Sequence, residues 1–235
     1  SARKAAGRDA HIAFVGAGAA GVELALAMQQ AITQMPGKGR AELTLVSAAN
    51  TLPGSVGPRL ARIMRARGLR VIPGQAATRI DAGRIELQGG EIVTADVIVV
   101  STGATAAKWL GDSGLACDAR GFLSINTHLQ STSHPMVFAA GDCAGMQEHP
   151  RPKSGVYAVR AGPPLAENLR RALRGESLLS FVPQEKSLYL ISTGDKYAIG
   201  SWGDWAWEGK WVWWWKDRID RGFMRKYSAT FPQEK

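Results

Sequence analysis

Three short runs in this chain combine residue types and spacings that could do chemistry. Gly16-Ala17-Gly18-Ala19-Ala20-Gly21 spells G-x-G-x-x-G directly after an apolar run (HIAFV) and directly before a helical pattern. In that setting Gly16 permits a tight turn, Gly18 lets the backbone approach a pyrophosphate, and Gly21 lets the helix pack close to the strand. Ala19 and Ala20 open a helix whose N-terminus attracts phosphates. A plain structural glycine turn is the competing reading. A second apolar run ends at Ser101-Thr102-Gly103, and a third, Val137-Phe138-Ala139-Ala140, ends at Gly141-Asp142. A short carboxylate at the end of a strand suits a hydroxyl-rich ligand, because it accepts hydrogen bonds in the crevice where such sheets bind cofactors. Where an acidic residue would grip an adenosine ribose at the end of the second strand, the chain has Ser47, followed by Ala48, Ala49 and Asn50. The choice between NADH and NADPH therefore stays open. Other chemistries are disfavoured. Cys117 and Cys143 form no C-x-x-C pair and read as two structural thiols in a reducing cytoplasm. The four histidines lack ligand-like spacing, so no metal site is expected.

These residues need elements to hold them. The chain reads as a strand from His11, the glycine turn, and a helix with Leu24, Met28, Ala31, Ile32 and Met35 at helical spacing, stopped by Pro36-Gly37. A strand (AELTLV), a basic helix from about Pro58 to Arg67 and a third strand (LRVIP) complete a βαβαβ unit. From Ala76 to Asp96, strand-like pieces alternate with turn residues, which predicts an antiparallel meander. The strand DVIVV returns the chain to a parallel sheet. Short strands near Phe122 to Leu129 and a buried strand over MVFAAGD follow, then a helix from about Ser154 to Arg174, broken or kinked at Gly162-Pro163-Pro164. Beyond it, SLYLIS and KYAIGSW flank a hairpin turn at Thr193-Gly194-Asp195, and a second hairpin is expected at Glu208-Gly209. The predicted fold is α/β: a Rossmann-like, doubly wound parallel sheet with an antiparallel meander, plus a small α+β C-terminal domain.

At 235 residues the chain can bury a real core in one or two domains. Its 45% hydrophobic residues and 27 glycines describe a globular protein with many tight turns rather than a disordered one. A net charge of +9 favours anionic partners. The basic residues are scattered, however, so nucleic-acid binding is not expected. No run approaches the roughly 20 apolar residues of a membrane span.

The residues resemble the pyridine nucleotide-disulfide oxidoreductase superfamily, and within it the type II NADH dehydrogenase branch. The resemblance rests on Gly21-Val22-Glu23 continuing the glycine loop, on the strand ending at Ser101-Thr102-Gly103 where the family has A-T-G, and on Gly141-Asp142 closing an A-x-G-D strand. It implies NAD(P)H at the glycine loop, with Gly16, Gly18, Ala19, Ala20, Gly21, Ser47, Thr102 and Gly103 contributing, and FAD held in part by Asp142. It implies that hydride passes from nicotinamide to flavin and electrons pass on to a quinone or other small acceptor. The run 149–160 (HPRPKSGVYAVR) and the stretch Trp214 to Met224 are similar to the oxidoreductase domain associated with selenide, water dikinase. Resemblance to the type II NADH dehydrogenases implies that the loop of Gly155, Val156, Tyr157 and Ala158 faces the flavin ring and the acceptor pocket. Tyr157 could equally be a packing aromatic, and Glu23 is either a dipole-favoured carboxylate in its helix's first turn or a residue beside the reacting rings.

In that family a flavin glycine loop precedes the nicotinamide loop. Only one loop occurs here, and its Val-Glu continuation identifies it as the second. The expected organisation is a linker at 1–9 from an upstream flavin half in the same or another chain, a nicotinamide-binding domain at 10–96, the back half of the flavin domain at 97–175, and a Trp-rich domain at 176–235. The chain alone is then expected to be inactive. A non-catalytic nucleotide- or partner-binding module is the alternative. Seven of the eight tryptophans lie between Trp202 and Trp215. Trp211, Val212, Trp215, Ile219 and Phe223 would form one helical stripe, with Arg218, Arg221 and Arg225 on another side. Packing onto the hairpins is the favoured reading of that helix, and peripheral contact between a cytoplasmic protein and a membrane surface is the other.

Overall fold

A computed structural model describes residues 10–35, 41–50, 52 and 54–228. The expected linker at 1–9 and the Pro36-Gly37 helix stop lie outside them. The described residues group into two compact units: those up to Thr102 together with those from Leu188 on, and Gly103–Ser187.

The first unit is built on a parallel sheet in the order β3-β2-β1-β7, formed by β1 (Ala10–Val15), β2 (Ala41–Val46), β3 (Arg70–Ile72) and β7 (Val97–Val100). Alternation along the strands assigns the two faces. Ile12, Phe14, Leu43 and Leu45 meet α1 (Ala19–Gln34) and α2 (Gly57–Ala66) in one buried cluster. Ala13, Val15, Val46 and Ile72 meet Ile85, Leu87 and Val93 of the meander β4 (Ala77–Asp81), β5 (Arg84–Leu87) and β6 (Ile92–Thr94) in another. Covered on both sides, the last four residues of β1 and of β2 are all buried, Thr44 among them. α1 forms because Ala, Leu, Met and Gln dominate it, and its buried Val22, Ala25 and Leu26 recur at helical spacing.

The rest of this unit is the antiparallel sheet β10 (Leu188–Ser192), β11 (Ala198–Trp202) and β12 (Trp205–Gly209), followed by α5 (Lys210–Ser228). Ile191 and Ile199 belong to the same cluster as α1 and α2, so the Trp-rich end is part of the first unit rather than a domain of its own. The second hairpin turns at Gly203-Asp204 and not at Glu208-Gly209. Gly203 supplies the positive φ of 58° that a two-residue hairpin needs, and β12 runs straight through Glu208. In α5, Val212 is fully buried and Trp215 stacks on Trp207 with ring centroids 6.4 Å apart. Trp211, Ile219 and Phe223 stay exposed, so the predicted stripe is only partly packed.

The second unit holds α3 (Lys108–Asp112), the paired strands β8 (Leu123–Ile125) and β9 (Ala144–Met146), and α4 (Gly155–Arg174). The run expected as a buried strand over 136–142 is no strand. Phe138 makes an isolated bridge to Gln130, and Gly141–Cys143 coils into a 3-10 turn. A strand needs a hydrogen-bonded neighbour along its length, and the backbone bonds that this run makes across the chain go to Leu129 and Ser131 alone among the described residues. α4 continues unbroken through Pro163 and Pro164. The prolines cannot donate to the carbonyls of Val159 and Arg160, yet the fixed proline φ is itself helical. Asn168, fully buried on α4, gives its amide N–H groups to His128 O and Leu179 O and accepts from Leu179 N, pinning the loops at 128 and 179 to the helix.

Candidate functional site

In the first unit, the glycine loop has the geometry its spacing predicts. Gly16 has φ of +109° and lies against Ser101, so a side chain there would fall onto the Ser101 carbonyl. A Cβ on Gly21 would fall onto the Gly16 carbonyl. Around Gly18, by contrast, nothing lies within 4 Å of where a Cβ would be. Two glycines are thus demanded by the fold, while the third leaves open space beside the N-terminus of α1. That N-terminus has no side-chain cap, and its first backbone N–H groups lack intrahelical acceptors. Ala19 and Ala20 form its first turn, and Thr102 sits beside Gly16. Ser101 has a role that sequence reasoning missed: its hydroxyl donates to Gly16 O at 3.0 Å and latches the loop to β7. The serine in place of the family alanine was the available signal.

Two predicted residues sit differently from expectation. Ser47 is 4% exposed and donates its hydroxyl to Ala49 O at 2.9 Å, so it serves its own loop. Glu23 lies in the second turn of α1, and its Oε1 accepts the Ser192 N–H at 2.7 Å and stands 3.4 Å from Lys216 Nζ. It ties the hairpin sheet and α5 to α1. Burial would lower the Lys216 pKa, but Asp220 and Glu23 outweigh it and hold the ammonium above its ordinary value. A parallel tie comes from Arg67, which donates to Thr193 O and to Asp195 Oδ2, both at 2.6 Å. Between these ties Gly194, at φ +85°, brings the turn so close to α1 that a Cβ would come within 2.9 Å of Ala27 Cα.

The second unit carries a cavity of about 340 Å³ lined by Gly141, Asp142, Lys153, Ser154, Tyr157 and Ala158, among others. Gly141 has φ of +75° and touches Ala158, which brings the 3-10 turn against the start of α4. Asp142 is exposed and accepts no hydrogen bond among the described residues. Ser154, the residue before α4, is extended; its hydroxyl is buried, caps nothing and has no partner. Gly155 and Val156 begin α4 without lining the cavity, and Gly103 is exposed at the start of this unit. Tyr157 OH reaches Glu185 O only at 3.5 Å, leaving the phenol loosely held. Lys153, to which the sequence assigned nothing, donates to Ala144 O and stands 4.1 Å over the Phe122 ring. Burial lowers its pKa, opposed in part by Asp118 and Asp142. An orphaned hydroxyl, an exposed carboxylate, a glycine cradle and an uncapped helix start fit a polyhydroxylated, phosphate-bearing ligand. Among the described residues no His, Cys, Asp and Glu cluster could hold a metal ion, and no helix is long and apolar enough to cross a membrane.

Comparison with known proteins agrees with this geometry. The chain is 31% identical over 207 residues to ferroptosis suppressor protein 1 of Xenopus laevis, covering 81% of this chain and 53% of that protein. It is 26% identical over 209 residues to the type II NADH:quinone oxidoreductase of Haemophilus influenzae, covering 81% and 46%. The chain therefore spans about half the length of the curated relatives it matches. The sulfide:quinone oxidoreductase structure from Aquifex aeolicus superposes with a TM-score of 0.74 at 15% identity, over 92% of this chain and 58% of that one, which shows the shared fold. The pyridine nucleotide-disulphide oxidoreductase family model matches residues 1–162. With its paired-glycine loop, its Gly141-Asp142 turn and these likenesses, the chain belongs to the pyridine nucleotide-disulphide oxidoreductase family.

Proposed function

We propose that this chain supplies the nicotinamide-binding unit and the closing half of the flavin site of a FAD-dependent NAD(P)H oxidoreductase that delivers electrons to a quinone. The observation that carries the reading is the pairing, in one chain and in family order, of a glycine loop with open space at Gly18 and a second cradle, lined by Gly141 and Asp142, whose buried Ser154 hydroxyl has no partner. When bound, the nicotinamide and flavin would supply the hydride and electron chemistry, while the protein aligns them and excludes water. Gly16 to Gly21 and the start of α1 would hold the nicotinamide pyrophosphate. Asp142 would accept hydrogen bonds from ligand hydroxyls, Ser154 would hydrogen-bond the flavin beside the start of α4, and Tyr157 would border the acceptor. Glu23 would act through position, keeping α1 registered on the hairpin sheet. The preceding flavin loop would come from the same or another chain, and without it the chain would be inactive.

Quinone reduction is supported by the names of two similar proteins, the Haemophilus and Aquifex oxidoreductases. A peripheral membrane position fits that acceptor: α5 exposes Trp211, Trp214, Ile219 and Phe223 beside Arg218 and Arg225, a combination that suits an anionic bilayer interface. The test is to purify the protein with the preceding half supplied, record the absorbance at about 450 nm expected of bound flavin, and follow NADH and NADPH oxidation with quinone and dye acceptors. A colourless protein that binds nucleotide would overturn the enzyme reading in favour of a binding module.

A further inference from the structure

The cavity of the second unit has in its wall a cation that its immediate contacts do not neutralise. Lys153 is half-buried, and its ammonium is fixed by two groups without formal charge, the Ala144 carbonyl and the face of the buried Phe122 ring. Asp118 and Asp142 act on it through space and form no ion pair with it among the described residues. Asp118 already gives Oδ1 to the backbone N–H groups of Arg120 and Phe122. The Arg120 guanidinium, 5.0 Å from the same ring, adds a second positive charge. Burial, above all, lowers the Lys153 pKa, and Arg120 pushes the same way against the pull of the two carboxylates. The next residue is Ser154, with its buried and partnerless hydroxyl, and after it comes the uncapped start of the 20-residue α4, the positive end of that helix dipole. An ammonium, an orphaned hydroxyl and a helix start therefore stand side by side, while Leu129, Ala161, Phe181 and Pro183 give the cavity its apolar lining. Such a site favours whichever state of a bound, flat ligand carries more negative charge.

We propose that Lys153 sets the reduction potential of the flavin: its fixed ammonium favours the reduced, negatively charged ring over the neutral, oxidised one. The proposal rests on the flavin reading above and deepens it. Hydride from NAD(P)H carries two electrons and one proton to N5, and NAD(P)⁺ is left behind. With N1 unprotonated, the ring gains one negative charge. A cation already pinned in the wall stabilises that charge without rearranging, and it offers the neutral ring little. Lys153 thus makes the flavin a better acceptor from nicotinamide and a weaker donor to the quinone.

Equilibrium titration against a reference dye, on the flavin-loaded protein with the preceding half supplied, reads the two-electron midpoint without turnover. Lys153→Gln keeps a donor for Ala144 O and removes the charge. It should lower the ratio of reduced to oxidised flavin about tenfold, a fall of about 30 mV in the midpoint. Lys153→Arg should keep the midpoint near that of the unaltered protein. Arg120→Gln should move it much less, because that side chain is exposed and its charge is screened. An unchanged midpoint in Lys153→Gln, or an equal fall in Arg120→Gln, would overturn the assignment. Weakened flavin retention in Lys153→Gln at an unchanged midpoint would overturn it too, since Lys153 would then serve the pyrophosphate, whose charge does not change on reduction. An unaltered protein that takes up no flavin would overturn the flavin reading itself.

Discussion

The two kinds of glycine in the nucleotide loop separate stability from binding. Gly21→Ala drives a methyl group into the Gly16 carbonyl and should destabilise the unit by about 2 kcal/mol, the usual cost of overpacking. Gly18→Val meets open space, so its thermal melt should be nearly unchanged while NADP⁺ affinity falls about tenfold, since bulk there blocks close backbone approach to the pyrophosphate. Equal destabilisation by both variants would show that the loop is merely structural. In the second unit, Asn168→Ala leaves Leu179 N, Leu179 O and His128 O without a partner and should cost about 3 kcal/mol by chemical denaturation. The glycine loop was legible in the sequence because its demands are local: φ, ψ and contacts within a few residues of the turn, bounded by an obvious strand and helix. The Ser101 latch, the orphaned Ser154 hydroxyl and the Asn168 pin were not legible. Each depends on what lies across the fold, and a single sequence does not pair residues 40 or 80 positions apart.

At the scale of elements, the hairpin between β10 and β11 is fastened to the nucleotide unit by Arg67. Burial alone would raise the Asp195 pKa, but the Thr193 hydroxyl and Arg67 hold it below the ordinary aspartate value. A depressed carboxylate contributes stability that is complete above its unfolded value, near about 3.9, and is lost as pH falls through the lower folded value. Arg67→Ala should therefore cost about 2 kcal/mol at neutral pH, and thermal melts should show that difference shrinking on the acid limb below about pH 4. A deficit that is constant across pH would show that the hydrogen bond to Thr193 O carries the clamp alone. The elements themselves were well marked by period: the parallel strands, the meander and both long terminal helices stand where alternation and helical spacing put them. The run at 136–142 has the composition of a strand, but strand formation is settled by neighbours. Glu208-Gly209 has the composition of a turn, yet Glu208 pairs with Ile199 in β12 and the chain reverses at Gly203-Asp204.

For the whole molecule, the exposed Trp and Arg side chains of α5 predict a surface preference. Sedimentation with vesicles should recover more protein on anionic than on neutral lipid, and added salt should weaken the binding as exposed charges are screened. Trp214→Glu should weaken it without altering the fold, and unchanged sedimentation would leave α5 as a covering helix only. The broad assignment was legible because three motifs stand in a fixed order along the chain. The grouping of the Trp-rich end with the nucleotide unit was not, because that end is separated in sequence from everything it packs on. That separation has a kinetic meaning. A ribosome makes the glycine loop and its sheet first, then all of the second unit, and only then Ile191 and Ile199, which complete the core around α1 and α2. The first unit must wait, with part of its apolar surface uncovered, until the second unit and the residues from Leu188 on have been synthesised, so its core is completed by contacts of high sequence separation. A stop codon after Ser187 would leave the glycine motif intact and still deprive it of the packing that holds it in shape.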